Sequence, residues 1–167
     1  MEQKIYYDIY HLNGDEIFIS ATDKGVCYIG SPKEDERDMA KRFPTAVLEK
    51  NPEALKPYMD ELAEYFEGKR RQFSMPADVK GTAFQEAVWE ALKEIPYGET
   101  CAYSDIAEKI GKPAAVRAVG TAIGANPVAI VVPCHRVIGK NGAITGYRGG
   151  IAMKEHLLEL EKVNCNS

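Results

Sequence analysis

Val131-Val132-Pro133-Cys134-His135-Arg136-Val137-Ile138-Gly139 sets a cysteine, a histidine and an arginine inside an otherwise apolar run, beside a rigid proline. The five apolar residues from Val128 to Val132, bounded by Pro127 and Pro133, read as a buried strand. Cys134 is then expected where that strand ends, with Pro133 fixing the turn. A thiol is a strong nucleophile only as thiolate, and positive charge from Arg136 or a protonated His135 would lower its pKa. Adjacent residues of extended chain point to opposite faces, so coupling Cys134 to His135 calls for a bridging water or a sharp local turn. The competing reading is a buried structural cysteine followed by a polar loop. The flanks weigh against it.

From Lys109 to Lys154 there are 46 residues without an Asp or Glu, carrying Lys109, Lys112, Arg117, Arg136, Lys140, Arg148 and Lys154. Residues 1–80 hold 12 basic and 16 acidic side chains, whereas residues 81–167 hold 9 of each, in a chain whose net charge is −4. Positive charge is therefore concentrated around Cys134, as expected of a site that meets a polyanion.

Asn126-Pro127-Val128-Ala129-Ile130-Val131-Val132-Pro133-Cys134-His135-Arg136-Val137 closely resembles the active-site motif of the O6-alkylguanine-DNA alkyltransferases, the methylated-DNA–protein-cysteine methyltransferases. Arg117-Ala118-Val119-Gly120 upstream and Gly146-Tyr147-Arg148-Gly149-Gly150 downstream fit that family in order and spacing. The resemblance is specific from about Gly81 to Glu161 and weaker before it.

An apolar content of 45% and a charged content of 28% over 167 residues describe an ordinary globular chain with room for one substantial core or two small lobes. The sequence has no apolar run of signal-peptide or membrane-spanning kind, so a cytoplasmic location is expected. Cys27, Cys101, Cys134 and Cys165 are widely spaced and form no Cys-x-x-Cys. Some members of the family carry a structural zinc in the N-terminal part. With only His11 and Cys27 there, no metal is expected, and no cofactor.

In chain order, Lys4 to Leu12, Glu16 to Ser20 and Gly25 to Ile29 read as an antiparallel meander whose first hairpin is set by Asn13-Gly14. Helices are expected from Lys33 to Arg42 and, after Asn51-Pro52, from Glu53 to Phe66 with Leu55, Met59, Leu62 and Phe66 inward. Gly81-Thr82 marks a lobe boundary, dividing 1–80, an α/β lobe, from 81–167. Thr82 and Gln85 form a capping box for a helix from Ala83 to Ile95. Two short helices, Ser104 to Ile110 and Pro113 to about Ala125, suggest a helix-turn-helix whose second member is rich in small residues and lacks acids. A glycine-rich loop, Gly139 to Gly150, precedes a last helix from Ile151 to Val163, with Ile151, Leu157, Leu158 and Leu160 inward.

The resemblance implies an α/β chain with a ribonuclease-H-like N-terminal lobe of antiparallel strands and helices, followed by a mainly helical DNA-binding and alkyl-acceptor lobe. It implies direct-reversal DNA repair, in which Cys134 takes the alkyl group from O6-methylguanine, and from O4-methylthymine, once and irreversibly, because a thioether offers no hydrolysable acyl carbon. It further implies a Glu161–His135–water–Cys134 relay, with Tyr103 holding the rotated nucleotide and assisting the leaving guanine. Asn126 pins the turn before the active-site segment. The resemblance implies that Arg117 is an arginine finger filling the gap left by the flipped base, with a simple phosphate contact as the alternative. The DNA-facing set is Tyr103, Lys112, Ala115, Arg117, Gly120 and Arg136, and the substrate pocket is Val137, Tyr147, Arg148 and Gly149. The implied partner is double-stranded DNA carrying O6-alkylguanine, met by a monomer away from any membrane. Two positions depart from the family: Ala129, where some members have proline, and Arg148, where others carry a small hydroxyl residue. Rival readings are a non-catalytic lesion sensor, opposed by Cys134 itself, a thiol hydrolase and a helix-turn-helix regulator.

Overall fold

The computed structural model describes residues 3–144 and 146–165. They form two compact units, Met1–Val79 and Lys80–Ser167.

In the first unit, β1 (Lys4–Leu12), β2 (Asp15–Thr22) and β3 (Gly25–Ile29) make the expected antiparallel meander. Asn13 and Gly14, at φ 52° and 89°, close its first hairpin in the left-handed conformations such a turn requires. A fourth strand, β4 (Val47–Lys50), adds to the outer side of β1 in parallel, giving the order β3-β2-β1-β4. The sequence predicts no strand there, because a four-residue edge segment with exposed Val47, Glu49 and Lys50 lacks the apolar alternation that marks a strand. Beyond β3 the chain returns so closely that a Cβ on Gly25 would lie 2.6 Å from the Pro76 carbonyl oxygen, which restricts this position to glycine.

Helix α1 (Glu36–Arg42) starts three residues later than expected, because Asp35 and Asp38 form a capping box. Helix α2 (Pro52–Phe66) is capped by Asn51 and buries Leu55, Leu62 and Tyr65. These side chains join Ile5, Ile17, Ile19, Val26 and Ile29 in the core of this unit. Met59 and Phe66, expected inward, are only partly buried.

In the second unit, the Thr82–Gln85 capping box opens α3 (Ala83–Lys93) as the sequence predicts. Such a cap contributes about 1 kcal/mol. Trp89 Nε1 donates to the Ala122 carbonyl at 2.9 Å, fixing α3 to α5 (Val116–Gly124). Before α5 lies α4 (Tyr103–Lys109), whose first turn is closed by the Ala102 N–H donating to Asp105. Helix α5 begins at Val116, not Pro113: residues 113–115 stay in the turn, and Ala115 precedes the helix without a side-chain cap. Two-residue strands β5 (Cys101–Ala102) and β6 (Val137–Ile138) pair in parallel.

The expected strand from Val128 to Val132 is not a strand. Val132 N–H bonds back to the Val128 carbonyl at 3.0 Å, and Ile130 takes φ 77°, so the run is a buried turn. Five apolar residues specify burial but not extension. The last helix, α6 (Ile151–Cys165), buries Met153, Lys154, Leu157 and Glu161; of the expected inward residues Leu157 is buried, Leu158 and Leu160 are half-buried, and Ile151 is instead 50% exposed.

Candidate active site

Everything in the site comes from the second unit. Cys134 opens a single 3₁₀ turn, Cys134–Arg136, that follows the buried turn and leads into β6. The apolar turn is held by Asn126, whose Nδ2 donates to the Val132 carbonyl at 2.9 Å and whose Oδ1 accepts from Val128 N–H at 3.0 Å. Cys134, His135 and Arg136 are all buried. The sharp turn meets one of the two conditions stated above for coupling Cys134 to its neighbour.

His135 Nε2 lies 2.7 Å from Glu161 Oε2, with both side chains sealed from solvent. A carboxylate only accepts, so in the neutral ring Nε2 carries the proton and Nδ1 is the basic nitrogen. Nδ1 is buried and makes no hydrogen bond to another described residue. Burial lowers the His135 pKa, against the pull of Glu161, so the imidazole is neutral at neutral pH.

Arg136 faces inward. Its Nε donates to Glu161 Oε1 at 2.8 Å, its Nη2 to Glu161 Oε2 at 3.0 Å and its Nη1 to the Ile95 carbonyl at 2.7 Å, while its guanidinium stacks on the Tyr97 ring. It therefore holds Glu161 in place, and the expectation that it contacts DNA is corrected. Nor is it a source of positive charge for the thiol. Burial raises the Cys134 pKa, and what opposes this is a hydrogen bond from Asn126 and the charges of Arg148 and Lys154. Lys154, also buried, donates from Nζ to the Val137 carbonyl at 2.6 Å, and its own pKa is lowered by burial. The resting pair is thus a thiol beside a neutral imidazole.

A cavity of about 390 Å³ opens at Cys134. Tyr103 of α4, Gly120, Ile123 and Gly124 of α5, and Gly146, Tyr147 and Arg148 of the glycine-rich loop line it. Of the expected pocket residues, Tyr147 and Arg148 are there. Val137 and Gly149 are not: both are buried, Val137 completely, and Val137 offers its carbonyl to Lys154 instead. Ile123 and Gly124 had not been expected in the wall, although the spacing 120, 123, 124 puts them on one helical face with Gly120. Tyr147 is hydrogen bonded to Cys134, and burial raises its pKa well above the ordinary tyrosine value, so it remains a donor.

Arg117, Lys112 and Ala118 are exposed on or just before α5, and Ala115 is partly buried. This surface combines cations with small side chains. Lys109 is engaged by Glu94 at 2.7 Å. Among the other cysteines, Cys27 is buried with its pKa pushed up to about 11, and Cys165 is exposed without a site around it.

The sequence model described as 6-O-methylguanine DNA methyltransferase, DNA binding domain, matches residues 83–163, and that described as the ribonuclease-like domain of the same methyltransferase matches residues 5–79. The chain belongs to the 6-O-methylguanine DNA methyltransferase family. Within that family it is 54% identical over 162 residues to the inducible methylated-DNA–protein-cysteine methyltransferase of Bacillus subtilis, covering 95% of this chain and 90% of that one. It is 43% identical over 157 residues to the enzyme of that name from Methanosarcina acetivorans, covering 94% and 98%. The crystal structure of Mycobacterium tuberculosis O6-methylguanine methyltransferase superposes with a TM-score of 0.85 at 39% identity, over 96% of this chain and 94% of that one. Mycobacterium tuberculosis OGT in complex with DNA superposes with a TM-score of 0.82 over the same shares.

Proposed function

We propose that this methyltransferase-family chain repairs DNA by direct reversal, moving the alkyl group of O6-methylguanine, and of O4-methylthymine, onto Cys134 in one irreversible event. The observation that carries the assignment to Cys134 is its position in the wall of a base-sized cavity, with a neutral His135 oriented by Glu161 beside it. The thiol proton passes through water to His135 Nδ1. The sulfur forms a bond to the alkyl carbon as the carbon–O6 bond breaks, and the electron pair returns to guanine. Tyr103 steadies the base and assists its departure. Arg117, exposed on α5, fills the gap left by the extruded nucleotide. Thiolate formation is the costly step, because burial favours the neutral sulfur.

The acting species is one copy of the chain in a reducing cytoplasm. The cavity, thiol and His135–Glu161 pair come from a single unit of a single chain, and four free cysteines fit that compartment.

The test is incubation with duplex oligonucleotide containing O6-methylguanine, followed by intact mass and peptide mapping. We expect a gain of one methylene on the Cys134 peptide, and none in Cys134→Ala, which should still bind DNA. Transfer that persists in Cys134→Ala, or a methyl group mapped to another residue, sinks the assignment.

A further inference from the structure

After α3 the chain turns at Pro96-Tyr97-Gly98, closed by the Glu99 N–H donating to the Pro96 carbonyl at 3.1 Å. Both members of the buried Arg136–Glu161 pair reach this turn. Arg136 Nη1 donates to the Ile95 carbonyl just before it, the guanidinium lies over the Tyr97 ring, and the Gly98 N–H donates to Glu161 Oε1 at 3.4 Å. The two carboxylate oxygens therefore have different duties. Oε2 meets His135 Nε2 at 2.7 Å and Arg136 Nη2 at 3.0 Å, whereas Oε1 accepts from Arg136 Nε at 2.8 Å and from Gly98. Four donors match the roughly four acceptor sites of an ionised carboxylate. The two on Oε1 fix the rotation of the group and so keep Oε2 on the imidazole.

Gly98 holds φ 83° and faces the last residue of α6. A Cβ on it would lie 2.7 Å from Cys165 Sγ and 2.8 Å from Cys165 Cβ, with the Glu161 carbonyl oxygen at an ordinary 3.6 Å. Rotating the Cys165 side chain moves the sulfur aside but leaves its Cβ where the backbone puts it. Ordinary contact begins at 3.4 Å, so the end of α6 must retreat by about 0.6 Å to admit a methyl group. Cys165 stands four residues after Glu161, on the same face of the helix, so the carboxylate retreats with it.

We propose that Gly98 is a positioning residue for alkyl transfer: by presenting no side chain to α6 and its N–H to Glu161 Oε1, it sets the distance at which that carboxylate meets His135. The inference rests on the alkyl-transfer reading above and adds a residue that lies outside the cavity and acts on the base through Glu161.

The experiment follows single-turnover methyl transfer from duplex O6-methylguanine, over a range of DNA concentrations, for wild type, Gly98→Ala, Gly98→Ala/Cys165→Ala and Gly98→Ala/Cys165→Gly. Methyl groups accepted per protein count the folded molecules, the DNA concentration at half the maximal rate reports binding, and the maximal rate reports the geometry of the base. Gly98→Ala should keep the first two and lower the maximal rate by about tenfold or more, since a displacement of about 1 Å remote from the reacting atoms costs up to about 100-fold. Cys165→Gly, which deletes the obstructing Cβ, should restore that rate, and Cys165→Ala, which retains it, should not. The strain of a positive φ on alanine persists in both double variants, so both should still melt below wild type. An unchanged maximal rate in Gly98→Ala overturns the proposal, as does a loss that Cys165→Gly leaves in place or that Cys165→Ala relieves equally. Should Gly98→Ala not fold, amide exchange in wild type decides: protection of the Gly98 N–H by about tenfold or more supports the proposal, and exchange at the rate of an unprotected peptide overturns it. Absence of methyl transfer by wild type refutes the alkyl-transfer reading instead, and the exchange measurement then still decides whether Gly98 holds Glu161.

Discussion

Arg136→Met removes one charge from a sealed network and leaves the others in place. In the wild-type protein Glu161 accepts from both Nε and Nη2 of Arg136 and from His135, and none of these groups has appreciable contact with solvent. Removing one partner of a buried ion pair costs about 3–5 kcal/mol. At about 2–4 °C per kcal/mol for a chain of this length, the melting temperature should fall by about 6–20 °C near pH 8. The deficit should then shrink with acidification. Arg136 and burial both depress the His135 pKa in the wild type. Without the guanidinium one of the causes that lower it is gone, so that pKa rises relative to the wild type. Because the folded variant takes up a proton at higher pH than the folded wild type, it gains stability relative to wild type as pH falls, so protonated His135 offsets the missing cation towards pH 5 and not near pH 8. Thermal melts of both proteins across that range provide the assay, with methyl-transfer rates at each pH beside them. The acid limb of the variant's rate should move to higher pH, because a protonated imidazole cannot take the thiol proton. A melting deficit that stays constant with pH, or one below about 1 kcal/mol, would refute the idea that Arg136 balances Glu161.

Asn126→Ala strips two hydrogen bonds from the turn that carries Cys134 and should lower the melting temperature by at least about 4 °C, at roughly 1–3 kcal/mol for each buried group left unpaired; an unshifted melt would show that the turn holds itself. Lys154→Met deletes a charge that opposes the raised Cys134 pKa, so the alkaline rise of the rate should move to higher pH; a superimposable pH–rate profile would remove Lys154 from thiol activation. Arg117→Ala should slow repair in duplex more than attack on the free alkylated base, since the side chain acts on extrusion, and equal slowing would speak against it. Binding to undamaged duplex should weaken steeply with salt and show little sequence preference, as phosphate contacts from exposed Lys112, Arg117 and Lys140 require; a salt titration on unrelated sequences measures both.

Elements whose signal is local were legible in the sequence. The Asn13-Gly14 hairpin, the helix opened by Asn51-Pro52 and the Thr82–Gln85 capping box each rest on residues no more than three positions apart, and the structure has all three, the second helix starting at Pro52, one residue before the expected Glu53. What failed depended on distant partners. β4 exists because β1 offers an edge more than forty residues away, and its own sequence is too polar to announce it. The 128–132 run is buried as expected, yet the Asn126 side chain and a left-handed Ile130 fold it back into a turn, which hydrophobicity cannot encode. For the site, resemblance brought Cys134, His135, Glu161 and Asn126 together, and the structure places His135 against Glu161 at 2.7 Å. Arg136 and Lys154 were counted with the DNA-facing charge because charge is visible in a sequence and direction is not. Their destinations, Glu161 and the Val137 carbonyl, lie 25 and 17 residues away.

The position of Glu161 on α6 has a consequence for the order in which the protein comes into being. A ribosome makes the thiol of Cys134 and the imidazole of His135 first, and Glu161 only 26 residues after His135. At about 5–20 residues per second, a few seconds pass in which Cys134 exists without the carboxylate that pairs with His135. On the proposed relay, an unfinished chain would hold its single-use sulfur unprimed until the last helix docks.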